Sequence, residues 1–123
     1  MGKFRVLVHN ELKILQISEG SIMSVSHSFI TFAKEAPEQQ EAWMELIGKL
    51  DHASKLDKKT EELAYLAVLA AVRLESGIPF HVKQAKELGA SREEIISSIL
   101  VGLPAVGNAV IQALPVALAA FDD

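Results

Sequence analysis

LDKKTEELAYLAVLAAVRLESGIPFHVKQA, residues 56–85, decides how the rest of the chain is read. Asp57 stands where a helix needs an N-cap acceptor, and Lys58 begins a run with helical composition. From Leu63 to Val72 the run is apolar almost all round, which predicts a central buried helix reaching about Glu75. The pattern breaks at Ser76-Gly77-Ile78-Pro79. Pro79 suits the first turn of a second helix, which carries His81 near its start and ends at Gly89, a good C-terminal cap. Two helices joined by so short a turn point to an all-α fold.

Outward from this pair the same signals recur. A helix is expected from about Ser24 to Glu35, with Phe29, Ile30, Phe32 and Ala33 on its apolar side. Pro37 opens the next, to about Ala53, where Trp43, Leu46, Ile47 and Leu50 recur at helical spacing. Ser91-Arg92-Glu93-Glu94 fits a capping box and starts a helix to about Val101. Gly102-Leu103-Pro104 breaks the pattern, and a last helix from about Ala105 to Ala120 is expected to kink or stop at Pro115. The whole is a bundle of about six helices. Residues 1–22 differ: Val6, Val8, Leu12, Ile14 and Ile17 suit a short hairpin turning at His9-Asn10, with an extra helical arm as the alternative. The expected organisation is therefore an N-terminal extension, 1–22, and a helical domain, 23–123.

Composition narrows the chemistry. The chain has 123 residues, half of them apolar, and a formal net charge of −4. That much apolar surface on one small domain predicts self-association. No basic stripe is present, which argues against nucleic acid. Ser97 to Phe121 carries no charge, yet Gly102, Pro104, Gly107 and Pro115 interrupt it. A buried or oligomer-packing segment explains it better than a membrane span. No secretory signal is read at the N-terminus, and a cytoplasmic protein is expected. There is no cysteine, so thiol redox chemistry and thiolate metal sites are excluded.

Two residues carry the candidate chemistry. Glu62 sits in the first turn and a half of the central helix, where the partly positive terminus suits a carboxylate. Tyr65, Leu66 and Leu69 share its face. His81 sits at the other helix start, where positive partial charge disfavours imidazolium and leaves a neutral ring able to act as a base. Tyr65 and Arg73 are the candidate substrate-binding side chains. Arg73 either holds a substrate carboxylate or pairs on the surface with Glu75 or another acid. No two of His9, His27, His52 and His81 are spaced as helical metal ligands and no acidic cluster accompanies them, so no metal and no cofactor are expected.

Taken together these stretches resemble the carboxymuconolactone decarboxylase and alkylhydroperoxidase D superfamily. The resemblance rests on Leu56-Asp57-Lys58-Lys59-Thr60-Glu61-Glu62-Leu63 with its alanine-rich helix, and on Phe80-His81-Val82-Lys83-Gln84-Ala85. It continues through Leu88-Gly89-Ala90-Ser91-Arg92-Glu93-Glu94-Ile95 and Val101-Gly102-Leu103-Pro104-Ala105, then Asn108. It implies an alkylhydroperoxidase D-like helical bundle. Peroxidase-type members relay protons between a glutamate, a Cys-x-x-Cys and a histidine. Counting back from His81 puts the cysteines at Leu74 and Gly77 and the glutamate at Glu62. The acid–base ends are kept and the sulfur is lost, so the resemblance implies no cysteine-dependent peroxidase. It leaves two readings. One is a cofactor-free, decarboxylase-like lyase acting on a small organic acid or lactone through Glu62 and His81. The other is a non-catalytic oligomeric binding or assembly module. It also implies a homo-oligomer, a trimer or a hexamer.

Overall fold

Prolines punctuate the structure. A proline has no N–H to donate and a fixed φ, so it costs nothing in a first helical turn. Pro37, Pro79, Pro104 and Pro115 all occupy that position. The computed structural model describes residues 25–123. Among them the secondary structure is helical, with no strand. The hairpin expected in residues 1–22, and the boundary after it, lie outside the described residues.

The chain divides after Lys55 into two compact units. In the first, α1 (His27–Glu35) and α2 (Pro37–Ala53) meet at Ala36. Ser26 caps α1 by accepting the Phe29 N–H, and Phe29 and Phe32 meet edge to face. α2 buries Gln40 and Met44. Its Trp43, Leu46 and Leu50, aligned on one side as the spacing required, remain about half exposed.

The second unit holds the central pair. α3 (Lys58–Ala71) is capped by Asp57, which accepts the Thr60 N–H and hydroxyl. A single 3-10 turn, Glu75–Gly77, leads into α4 (Ile78–Glu87). α5 (Arg92–Ile99) opens with the capping box expected: Ser91 accepts from the Glu94 N–H, and Glu94 accepts from the Ser91 N–H. After a second 3-10 turn, Leu100–Gly102, come α6 (Leu103–Val106), α7 (Asn108–Ile111) and α8 (Leu114–Asp122). α3, α4, α5 and α8 enclose one core, in which Leu66, Ile78, Val82, Ile95, Ile99 and Val110 are fully buried.

Three expectations change. First, α3 ends at Ala71 and not near Glu75. The Leu74 N–H returns to the Leu69 carbonyl and the Arg73 N–H to that of Ala70, closing the helix. That closure needs a left-handed residue. Arg73 supplies it, with φ 65°. Second, the single last helix is three short ones. Gly107, at φ 66°, adds a turn between α6 and α7, while the break between α7 and α8 beside Pro115 is the interruption expected there. Third, α3 is central but not wholly buried: Tyr65, Val68 and Val72 line an exposed side. No helix among the described residues is long and apolar enough to cross a membrane.

Candidate acid–base site

α3 and α4 pack against each other, and the 3-10 turn fixes how they meet. Gly77 lies beside Leu69 of α3, where a Cβ would make ordinary contact, 3.5 Å from the leucine Cδ1. α4 therefore starts beside the α3 face that carries Glu62, Tyr65, Leu66 and Leu69. Nineteen residues apart in sequence, Glu62 and His81 meet side chain to side chain, Oε1 to Nδ1, at 2.8 Å. Each keeps about a quarter of its side-chain exposure. They are shielded but still reachable from solvent.

The pairing has a direct consequence for the ring. A carboxylate can only accept, so the shared proton belongs on Nδ1. Nε2 is then the nitrogen whose lone pair is available, and the carboxylate stabilises the ring when Nε2 gains a proton. This is the orienting role a carboxylate plays beside a catalytic histidine. Two aromatic rings meet the imidazole edge to face. Tyr65 meets it at 4.6 Å between centroids with planes 64° apart, and Phe80 at 5.2 Å and 85°. Phe80 is buried, whereas Tyr65 is 45% exposed.

The other sequence candidates lie elsewhere on the unit. Arg73 closes α3, and its guanidinium donates to Gln112 Oε1 at 3.2 Å on the exposed surface. An α-helix rises about 1.5 Å per residue, which puts the end of α3 roughly 14 Å along the axis from Glu62. Leu74 is 57% exposed, so it does not seal the pair. Gly77 contributes only the approach to Leu69.

Sequence reasoning missed the residues that hold the two helices in place. Ser98, buried on α5, donates to the carbonyl of Leu63 and fixes the turn of α3 next to Glu62. Lys83, two residues after His81, donates to the Ala120 carbonyl at 3.2 Å and pairs with Asp123 at 3.1 Å. Lys86 donates to the Phe121 carbonyl and lies over the Phe121 ring. α4 is thereby fastened to the end of α8, where a helix terminus favours cations. Ser98 was findable in principle, as one of few polar residues inside an apolar stretch. The lysines gave no such signal.

Among the described residues, no group of three or more His, Asp and Glu side chains could hold a metal ion. The chain also lacks cysteine. The chemistry on offer is proton transfer by one imidazole oriented by one carboxylate.

A family model, described as the carboxymuconolactone decarboxylase family, matches residues 37–119, more than half of the chain. The chain belongs to the carboxymuconolactone decarboxylase family. The matched region includes Glu62, Tyr65, Arg73 and His81, so the acid–base pair lies inside the carboxymuconolactone decarboxylase match. No curated protein and no solved structure matches the chain.

Proposed function

We propose that this carboxymuconolactone decarboxylase family member is a cofactor-free lyase acting on a small carboxylated lactone or related organic acid. The observation that carries the reading is the 2.8 Å contact between Glu62 and His81. In the proposed step the bond from carbon to the substrate carboxylate breaks, and carbon dioxide leaves. The electron pair stays on carbon, delocalised into the unsaturated acid. His81 delivers a proton to that carbon from Nε2, and the ring recovers one from water. Glu62 holds Nδ1–H throughout and offsets the positive charge of the protonated ring. Tyr65 supplies an apolar wall over the reacting face. Arg73, at the far end of α3 and bonded to Gln112, takes no part in the proposed step.

Carbon dioxide release from a panel of carboxylated lactones tests this. Release should be abolished or reduced by about 10²-fold or more in His81→Ala, the range for a general acid–base residue. Turnover unchanged in that variant rejects the mechanism. The competing reading, an assembly module on the same fold, is favoured by the exposed apolar side of α3 and predicts no release from any member of the panel.

A further inference from the structure

The buried stripe of α5 is Ile95, Ser98 and Ile99, at the spacing of a helix side turned to the core. Both isoleucines are fully buried, and between them Ser98 is only 5% exposed. Alanine would fill the same space and forms helix more readily. The hydroxyl is therefore explained by its bond and not by its burial. It donates to the carbonyl of Leu63, the residue after Glu62. A carbonyl oxygen has two lone pairs, so α3 can receive this bond and keep its own ladder. One turn earlier on both helices, Lys59 of α3 meets Glu94 of α5 at 3.0 Å. The two contacts join residues 59 and 63 of α3 to residues 94 and 98 of α5, so they lie one above the other. Glu62 falls between them. We propose that Ser98 is a positioning residue for the acid–base site: through Leu63 it sets the turn of α3 from which Glu62 reaches His81, and so decides which nitrogen of the neutral ring carries the proton. This rests on the acid–base reading above and not on the identity of the substrate.

The two contacts differ in stiffness. Lys59 and Glu94 are long side chains, 36 and 43% exposed, and a solvated pair of that kind holds position loosely. Ser98 is short and buried, and it bonds to the main chain itself. Glu62 needs such a hold. It lies near the start of α3, where helices fray, and it must meet a residue on another helix. His81 has an anchor of its own, because Lys83 and Lys86 fasten α4 to the end of α8. With the imidazole held from α8, a small rotation of α3 about its axis would lengthen the 2.8 Å contact. Hydrogen bonds weaken steeply as distance and angle depart from their optimum. Holding a reacting pair within that tolerance is what a supporting contact does at a functional site.

The test compares the wild type with Ser98→Ala, Ser98→Thr, Ile95→Val and Glu62→Gln, each as the full chain. Ile95→Val trims the same buried stripe and destabilises without touching the Leu63 bond. The readout is the ratio of Nδ1-protonated to Nε2-protonated neutral ring, from the nitrogen NMR spectrum of His81, with thermal unfolding alongside. Ser98→Ala should lower that ratio about threefold or more with its helical circular dichroism intact, because the bond at one ring nitrogen sets the tautomer. Ser98→Thr keeps the hydroxyl and should restore the ratio. Ile95→Val should leave it unchanged while its thermal midpoint falls. Should the added methyl of threonine prevent folding, Ser98→Cys, a weaker donor, should lie between serine and alanine. On a substrate that is decarboxylated, Ser98→Ala should lose about tenfold in kcat with KM little changed. A ratio unmoved in Ser98→Ala but moved in Glu62→Gln overturns the proposal. So does a ratio that Ile95→Val lowers as far, since loss of stability alone would then account for it. A folded Ser98→Thr, or Ser98→Cys in its place, with the ratio of Ser98→Ala overturns it too. A ratio indifferent to Glu62→Gln removes the acid–base reading and this proposal with it. The expected pattern in a protein that releases no carbon dioxide keeps the positioning role and rejects the lyase.

Discussion

Glu62 Oε1 stands 2.8 Å from His81 Nδ1, a contact between the start of one helix and the start of another. It divides the two ring nitrogens by role: one is occupied, the other is free to exchange a proton. Replacing the carboxylate by its amide keeps the shape and removes the charge. Glu62→Gln should therefore fold like the wild type and lose most of its turnover, measured as kcat on whichever lactone is decarboxylated. A kcat close to that of the wild type would separate Glu62 from the chemistry.

The capping box of α5 gives a stability prediction. Ser91 and Glu94 satisfy each other's backbone N–H groups. Ser91→Ala leaves the Glu94 N–H without its acceptor and should cost about 1 kcal/mol in denaturant unfolding. Nearby, Ile99 is fully buried. Ile99→Ala should cost about 2–5 kcal/mol, because the surrounding helices cannot collapse into the space left.

Arg73 provides a test of backbone conformation. Both Arg73→Gly and Arg73→Ala delete the guanidinium and its bond to Gln112, so the difference between them reports the left-handed backbone alone. At φ 65° the glycine variant should be the more stable by about 1 kcal/mol. Equal stabilities would mean that the turn rearranges when the side chain is lost.

Acid should weaken the fold through three carboxylates. Asp57 is held below its ordinary value by the backbone N–H and hydroxyl of Thr60. Glu94 is held down by the Ser91 N–H and then by Lys59, 3.0 Å away. Asp122 is held down by its paired bonds to the Arg92 guanidinium. Each binds its proton less readily folded than unfolded. Its contribution is complete above the ordinary values, 4.5 for Glu and 3.8 for Asp, and is lost as pH falls through the lower folded values. Thermal midpoints should therefore decline as pH drops below about 4.5, where Glu94 begins to matter. All three groups are exposed, so salt should reduce the effect. Asp122→Asn should flatten part of that decline.

Much of this was legible where local chemistry decides local structure. Pro37 and Ala53 bound α2 as read, and Ser91 with Glu94 announced α5, because caps and first-turn prolines act within a few residues. The end of α3 was not legible. A left-handed closing residue is normally glycine, and an arginine there leaves no mark. Pro115 marked a real interruption, since α7 ends at Ile111 and α8 begins at Leu114; the further break at Gly107 fell inside the helix expected from Ala105. The site was half legible. Glu62 and His81 could be named from the resemblance, and Tyr65 from its place on the Glu62 face. Their meeting follows from the packing of α3 on α4, with Ser98 bonded to the Leu63 carbonyl, contacts between segments that no spacing rule connects. Arg73 pairing with Gln112, thirty-nine residues on, is of the same kind.

The most direct test is the nitrogen NMR spectrum of the imidazole of His81, assigned by its loss in His81→Ala. Where the ring is neutral, Nδ1 should carry the proton and Nε2 should be bare, and Glu62→Gln should weaken that preference. A neutral ring protonated on Nε2, or a spectrum indifferent to Glu62→Gln, would contradict the claim that the carboxylate sets the histidine for proton transfer.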